Sequence, residues 1–421
     1  MKSRPITPLE FDRRGAGRKG ACVKAATKLG FFLGLALAAA VAAAQATKAQ
    51  DPTRKAALAL EQQGKNPEAE AAWRAYLKEH PTDPEPYAQL GLLEARQEHY
   101  KEAVPLYRKA LAMNPHVQGL RLNLGLALFK LGDLKAALPE FTQSLNEVGE
   151  GSPEAHRLTI LIGMSHYGLA EYAQAVPFLK EAAATDQQSL PLRLALAHSC
   201  LWSKQYPCVM DVYREIVTLN SESAEADMLA GEALDEMKDN EGSIKMFRAA
   251  VAANPREPNV HFGLGYLLWT QKIYPEAAQE FKSELANDPQ HVQSLVYLGD
   301  SEIQLNQPAD AKPTLEKAVR LDPAQPLAHL DLGVLLSDAG DNEGALRELT
   351  LAEKLNPNDV NVHWRLGRLY RTIGRKDEAK AEFDKASTLN KAADEDLYKK
   401  ISSGRAKQPE GATAPEKPLD Q

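Results

Sequence analysis

Residues 84–117 read PEPYAQLGLLEARQEHYKEAVPLYRKALAMNPHV, and the spacing of small and large residues within this stretch recurs along the chain. A small residue returns at a period of 34 residues, with one step of 38. This series comprises Gly91, Gly125, Gly163, Ala197, Gly231, Gly265, Gly299, Gly333 and Gly367. A period of this length indicates a repeat protein in which one supersecondary unit is used many times.

Three further series keep the same period. A second small residue stands at Ala69, Ala103, Ala137, Ala175, Val209, Ser243, Ala277, Ala311, Ala345 and Ala379. A large apolar residue stands at Trp73, Tyr107, Phe141, Leu179, Tyr213, Phe247, Phe281, Leu315, Leu349 and Phe383, where we expect it to fill the gap between repeats. A helix-ending proline stands at Pro81, Pro115, Pro255, Pro289, Pro323 and Pro357. Small residues let two helices approach closely, so each unit is predicted to be a helix-turn-helix that buries its apolar face by stacking on its neighbours.

Within residues 84–117, the tetratricopeptide repeat pattern is matched by Tyr87, Leu90, Gly91, Ala103, Tyr107, Ala110 and Pro115. The chain therefore resembles the tetratricopeptide repeat family over roughly residues 50–393. This resemblance implies an all-α fold, a right-handed superhelical solenoid of about ten 34-residue helix-turn-helix repeats, which binds other proteins along its concave groove. The repeats are expected at residues 50–83, 84–117, 118–155, 156–189, 190–223, 224–257, 258–291, 292–325, 326–359 and 360–393.

The two ends of the chain differ from the repeats. Residues 1–46 contain a basic stretch, an apolar run and a small-x-small site, which are the three parts of an export signal. We expect cleavage and a periplasmic or secreted protein; the alternative is an uncleaved anchor that holds the protein at the membrane, facing the periplasm. Residues 392–403 are predicted to form a capping helix with a polar outer face. Residues 404–421, rich in proline, glycine and charge, are predicted to be a disordered tail.

Charge and motifs argue against two broad classes of function. Beyond residue 46 the chain has 42 basic and 55 acidic residues, a net charge of −13, whereas nucleic-acid binding requires clustered lysine and arginine. The sequence contains no HExxH, GxxxxGK[ST] or nucleophile-elbow motif. His261, His329 and His363 occupy one repeat position, so the period accounts for them without a metal ligand. We therefore expect a protein that is not an enzyme and that needs no cofactor or metal.

The resemblance places partner-binding residues on the first helix of each repeat. The candidate groove residues are Phe129, Met164, Tyr167, His198, Trp202, Glu232, Asp235, Phe262, Tyr266, Trp269, Asp300, Arg365, Arg368 and Arg371, and Asp331 and Asp338 continue the acidic part. The aromatic members predict an apolar trough, and the acids favour a partner segment with apolar anchors and basic flanks. The arginines lie about one helical turn apart and could receive an acidic group. Two alternatives remain open: the aromatic residues pack between adjacent first helices, and the arginines form a solvated face.

Two cysteines remain beyond the export signal. Cys200 and Cys208 are predicted to lie on successive helices of the fifth repeat, and an exported compartment permits a disulfide between them. The alternative is a pair of small buried apolar side chains.

The sequence favours a scaffold that binds peptide or helical segments of other proteins in the cell envelope, in support of envelope, secretion or export-machine assembly. A second hypothesis is a self-assembling structural component, in which another copy of the chain covers the groove. A third and less favoured hypothesis is an enzyme or a small-molecule binder. The identity of the partner, the pathway and the oligomeric state stay open.

Overall fold

The computed structural model describes residues 51–405 and the side chains of residues 51–395. Within these residues the chain consists of twenty α-helices and no strands. The helices follow one another as pairs joined by short turns, and each helix packs against the next one in the same unit of the fold. The all-α repeat fold expected from the 34-residue period is confirmed.

The described chain divides into two compact units between Ala253 and Asn254. The first unit contains α1 (Pro52–Gln62), α2 (Asn66–Glu79), α3 (Pro84–Arg96), α4 (Tyr100–Met113), α5 (Leu120–Lys130), α6 (Leu134–Glu147), α7 (Pro153–Gly168), α8 (Tyr172–Thr185), α9 (Leu190–Trp202), α10 (Tyr206–Leu219), α11 (Ala224–Glu236) and α12 (Asn240–Ala253). The second contains α13 (Val260–Thr270), α14 (Tyr274–Asn287), α15 (Val292–Gln304), α16 (Pro308–Leu321), α17 (Pro326–Asp338), α18 (Asn342–Leu355), α19 (Val360–Thr372) and α20 (Lys376–Arg405). Odd-numbered helices are therefore the first helices of the repeats.

The turn inside each pair places one residue in the left-handed region of backbone space. These residues are Gly64, Glu98, Gly132, Ala170, Lys204, Lys238, Lys272, Asn306, Gly340 and Gly374. Glycine adopts a positive φ without strain, and it stands at four of the ten positions. The positive φ is thus kept at this turn position even where the residue is not glycine.

The small residue in the middle of the first helix sets the close approach of the pair. A Cβ atom on Gly91 would lie 2.7 Å from the ring of Tyr107, and one on Gly265 would lie 2.8 Å from the ring of Phe281. The large side chain of the second helix therefore lies directly on the small residue of its own repeat. From the sequence we expected this large side chain to fill the gap between repeats. The structure shows that it also contacts the other helix of its own repeat.

The fourth residue of several repeats reaches back to the loop before its own helix. Nε2 of His329 lies 2.9 Å from the carbonyl oxygen of Pro323, and Nε2 of His363 lies 2.8 Å from that of Pro357. Arg193 holds the equivalent loop before α9 through its guanidinium. His329 and His363 therefore have a structural role in fixing the loops between repeats.

The carboxyl end differs from the predicted capping helix. Residues 392–403 are not a separate element, because α20 runs without a break from Lys376 to Arg405. Lys391 stands one period after Pro357, so the proline that would end the helix is missing. Residues 404 and 405 also belong to α20, whereas the rest of the predicted tail and the predicted export signal lie outside the described residues. Among residues 51–405, no helix combines the length and the apolar character that crossing a bilayer requires.

Candidate partner-binding surfaces

Aromatic side chains gather in the first unit at the ends of α7, α8 and α9. Tyr167 and His198 have ring centroids 6.2 Å apart. Trp202 stacks on Tyr172, with centroids 6.2 Å apart and an interplanar angle of 24°, and it remains 43% exposed. We call these four residues the first-unit patch. Its exposed indole is an apolar surface that a partner side chain could cover.

The predicted acids of the first unit lie on the next first helix, α11. Glu225 at the start of this helix places Oε1 2.8 Å from Nε2 of His198, which ties α11 to the first-unit patch. Glu232 and Asp235 lie further along α11 and are half-buried. Burial raises the pKa of Asp235, and the nearby Lys238 opposes this rise.

Two predicted groove residues of the first unit support the fold instead of facing a partner. Phe129 is 2% exposed, and its ring centroid lies 6.2 Å from that of Phe141 in the same repeat. Met164 is 9% exposed. This burial corrects their placement on an accessible groove, because the repeat positions assigned to the groove also include positions that turn toward a neighbouring helix.

The predicted aromatic trough of the second unit is partly an internal cluster. Phe262 is 5% exposed and packs against Tyr297, which lies on the next first helix, α15. The rings of Tyr266 and Trp269 also contact Tyr297, with centroids 5.3 Å and 5.0 Å away. The alternative of packing between adjacent first helices therefore describes Phe262, whereas Tyr266 and Trp269 are half-buried and keep an accessible side.

An acid lies at the edge of this cluster. Nε1 of Trp269 donates to Oδ2 of Asp300 at 2.6 Å, and the amide of Gln304 donates to Oδ1 at 3.4 Å. Asp300 is 7% exposed, and burial raises its pKa despite these two hydrogen bonds. We call Tyr266, Trp269, Tyr297 and Asp300 the second-unit patch. It combines an accessible aromatic face with a fixed carboxylate, which suits an apolar group next to a cation.

The three predicted arginines of α19 stack on aromatic rings. The guanidinium carbons of Arg365 and Arg368 lie 5.5 Å and 4.9 Å from the ring centroid of Trp364, and that of Arg371 lies 5.8 Å from the ring centroid of Phe383. Trp364 is 41% exposed. The arginines therefore lie beside rings that attract them by cation–π interaction, and Arg368 and Arg371 are also exposed, as the alternative of a solvated face expects.

Glu353, His363 and Glu382 place candidate metal-ligand atoms within 4.8 Å of one another. The ammonium of Lys385 donates to Glu353 at 2.9 Å and to Glu382 at 2.7 Å. Nδ1 of His363 lies 2.6 Å from Glu382, and Nε2 is engaged by the Pro357 carbonyl. Lys385 and His363 thus contact the two carboxylates within the protein, and the group acts as a link between α18, α19 and α20.

Of the two alternatives for the cysteine pair, the structure contains the disulfide. Cys200 on α9 and Cys208 on α10 are bonded, with Cα atoms 5.8 Å apart and a sequence separation of 8 residues. The bond joins the two helices of the fifth repeat.

We expect the Cys200→Ser, Cys208→Ser double variant to unfold more easily than the parent protein. Closing a loop of this length is worth about 2–3 kcal/mol in the chain-entropy treatment. Urea unfolding followed by circular dichroism, with and without dithiothreitol, measures the difference. The double variant is its own control, because dithiothreitol should leave its midpoint unchanged; an equal midpoint for parent and variant without reductant would contradict the prediction.

Sequence reasoning missed Tyr172, Tyr297 and Trp364. Tyr172 lies on a second helix, and Tyr297 occupies a first-helix position that was not assigned to the groove. Tyr266 and Tyr297 are 31 residues apart, as are Trp269 and Asp300. This separation, three less than the period, recurs in these two contacts between adjacent first helices, whereas Phe262 and Tyr297 meet at a separation of 35 residues.

Comparison with known proteins gives the family. Models of the tetratricopeptide repeat match residues 54–95, 88–146, 122–190 and 228–292, residues 302–363, and residues 360–392. These matches cover most of the chain and reach both units.

Individual relatives are distant. The chain is 23% identical to BBSome complex member BBS4 of Bos taurus over 265 residues, which is 63% of this chain and 50% of that protein. It is 21% identical over 300 residues to anaphase-promoting complex subunit 3 of Schizosaccharomyces pombe, covering 71% of this chain and 44% of the relative. The chain thus spans half or less of the length of these relatives.

The crystal structure of YrrB, described as a TPR protein with an unusual peptide-binding site, matches 45% of this chain and 97% of its own at 21% identity and a TM-score of 0.37. Because the repeat models account for the 34-residue period across the helix pairs, the chain belongs to the tetratricopeptide repeat family.

Proposed function

We propose that this protein is a non-catalytic scaffold of the cell envelope that binds segments of other proteins on the first helices of its repeats. The second-unit patch carries this proposal. Tyr266 and Trp269 are half-buried on Tyr297, and the carboxylate of Asp300 is fixed beside them. Preformed aromatic surfaces of this kind supply binding energy at small entropic cost, and an adjacent acid selects a segment with a basic flank.

The envelope location in this proposal rests on the export signal expected in residues 1–46. A role in assembling an envelope, secretion or export machine rests on the same expectation. Two relatives are named as members of multiprotein complexes, which agrees with a protein that holds partners together.

Site-specific photo-crosslinking in the cells that produce the protein tests the proposal. A benzophenone side chain replaces Tyr266 in one variant and Trp202 in a second. The matched control carries it at Leu351, a 42% exposed apolar residue on α18, which is a second helix. The cell fraction that yields each crosslink reports the location of the protein.

We expect defined proteins to crosslink at the first-helix positions and to be absent or much weaker at Leu351. Crosslinks to a second copy of the chain would favour the self-assembling alternative. Equal crosslinking at all three positions would contradict binding on the first helices, and products confined to the cytoplasm would contradict the envelope location.

A further inference from the structure

Asp331 on α17 is a buried acid whose Oδ2 atom has no hydrogen-bond donor among the described residues. The residue is 7% exposed. Buried carboxylate oxygens are normally hydrogen-bonded, because burying one without a donor is energetically costly. The buried acid Glu302 also has an oxygen without a donor, Oε2, but the ammonium of Lys282 lies 3.4 Å from its other oxygen, Oε1.

Asp331 extends the second-unit patch. It follows Asp300 by 31 residues, the same separation that brings Trp269 onto Asp300 and Tyr266 onto Tyr297 across adjacent first helices. The row on α13, α15 and α17 therefore runs from the aromatic rings through Asp300 to Asp331. Aromatic faces and two carboxylates converge there on the surface that the proposed function assigns to partners.

The charges around Asp331 do not cancel. Burial and the charge of Asp300 raise its pKa well above the ordinary value of 3.8, and Asp359 acts in the same direction. Arg365 on the neighbouring α19 opposes them with a smaller effect than either burial or Asp300. The positive charge of Arg365 thus does not offset burial and the neighbouring acids, and a cation supplied from outside would stabilise both carboxylates.

We propose that Asp331 and Asp300 together receive one arginine side chain of the partner segment, with the rings of the second-unit patch packing on the apolar residue next to it. This inference rests on the proposed function. Arginine suits the site better than lysine because its planar guanidinium can donate to two carboxylates and stack on aromatic rings, and it is less strongly hydrated. Asp331 is 7% exposed and its Oδ2 atom is buried, so the guanidinium must insert between the helices that cover it, which a single side chain can do and a diffuse basic tail cannot.

Two acetylated and amidated pentapeptides test the proposal by calorimetric titration of the full chain. One is Ala-Leu-Arg-Leu-Ala, and in the other citrulline, a neutral near-isostere, replaces arginine. We expect the arginine peptide to bind at least about tenfold more tightly to the parent protein, which corresponds to about 1.4 kcal/mol. Asp331→Asn should remove this preference. Asp377→Asn, which changes an exposed acid on α20, a second helix, should preserve it.

The same variants make a second measurement possible without any peptide. A carboxylate whose pKa is raised by folding destabilises the folded state once the pH rises from the unfolded value of 3.8 through the folded value. Asp331→Asn should therefore raise the thermal midpoint at pH 7 and lose this advantage toward pH 4. A variant that is more stable yet no longer distinguishes arginine from citrulline separates a binding role from a folding role.

Equal affinity of the two peptides, failure of both to bind the parent protein, or an arginine preference that survives in Asp331→Asn would each overturn the assignment. Crosslinks at Tyr266 that persist alongside such a result would show that the scaffold function holds and only the arginine site fails. Absence of the arginine preference together with absence of the Tyr266 crosslinks would contradict the proposed function as well.

Discussion

Replacing Tyr297 by alanine is expected to destabilise the second unit by about 3–5 kcal/mol, the range seen when a large buried aromatic side chain is truncated. Tyr297 is 8% exposed, and its ring contacts Phe262, Tyr266, Trp269 and Phe281 with centroid distances between 5.0 Å and 6.1 Å. These contacts join α13 and α14 to α15. Their loss leaves a cavity and removes the support under the accessible faces of Tyr266 and Trp269.

Tyr297→Phe is the matched control for this prediction. It keeps the ring and its packing and removes only the hydroxyl, so the free energy of unfolding should change by less than about 1.5 kcal/mol. Urea unfolding gives the overall change, and hydrogen exchange of α13 to α15 followed by mass spectrometry localises it. The packing argument fails if alanine and phenylalanine destabilise the protein equally, or if exchange accelerates only outside α13 to α15.

A repeat period is enough to derive the fold but not the contacts between repeats. The small size of Gly91 predicts the close approach of two helices, but the ring that lies on it is that of Tyr107 in the same repeat, which the sequence had assigned to the gap between repeats. Whether Phe262 faces solvent or Tyr297 depends on how far one first helix is rotated against the next. That rotation is set by the packing of many side chains, and the single-helix periodicity used to assign the groove contains no information about it.

In the candidate sites, too, some features are predictable from the sequence and others depend on the packing of neighbouring helices. Tyr266, Trp269 and Asp300 were assigned from the sequence and lie together in the structure. Asp331 was assigned only as one more acid on an acidic surface; its burial and its unpartnered oxygen follow from the three-dimensional packing of α15, α17 and α19. Sequence thus places residues on a helix, whereas burial and the shifts of pKa that come with it depend on neighbouring helices.

The loop before α9 shows how a departure from the repeat pattern is compensated. Gln187 stands where most repeats have the helix-ending proline. Arg193, only 5% exposed, donates to the carbonyl oxygens of Ala183, Asp186 and Ser189 at 3.3 Å, 3.2 Å and 3.4 Å. Its guanidinium thus satisfies carbonyl groups at the end of α8 and in the loop, as His329 and His363 do from the same repeat position with the carbonyl groups of their proline-containing loops.

We therefore expect Arg193→Met to destabilise the first unit by about 3 kcal/mol, because three carbonyl groups, of which that of Ala183 is buried, lose a charged donor at once. The contact of Nε with Glu215 at 3.0 Å adds little to this figure, since the Glu215 side chain is 53% exposed. Arg193→Lys should recover only part of the loss, because a single ammonium cannot reach the same set of acceptors. Urea unfolding combined with hydrogen exchange of α8 and α9 measures both variants.

Arg214→Met on α10 is the control for this comparison. Arg214 pairs with Asp211 at 2.7 Å, but both side chains are about 70% exposed, so its replacement should cost less than about 1 kcal/mol. An equal loss for Arg193→Met and Arg214→Met would show that charge removal, and not the carbonyl contacts, causes the effect. Full recovery by lysine would show that one hydrogen bond is enough to hold the loop. The predicted order is Arg193→Met as the largest loss, Arg193→Lys as an intermediate one and Arg214→Met as the smallest, because the loss follows the number of carbonyl acceptors that each change leaves without a donor.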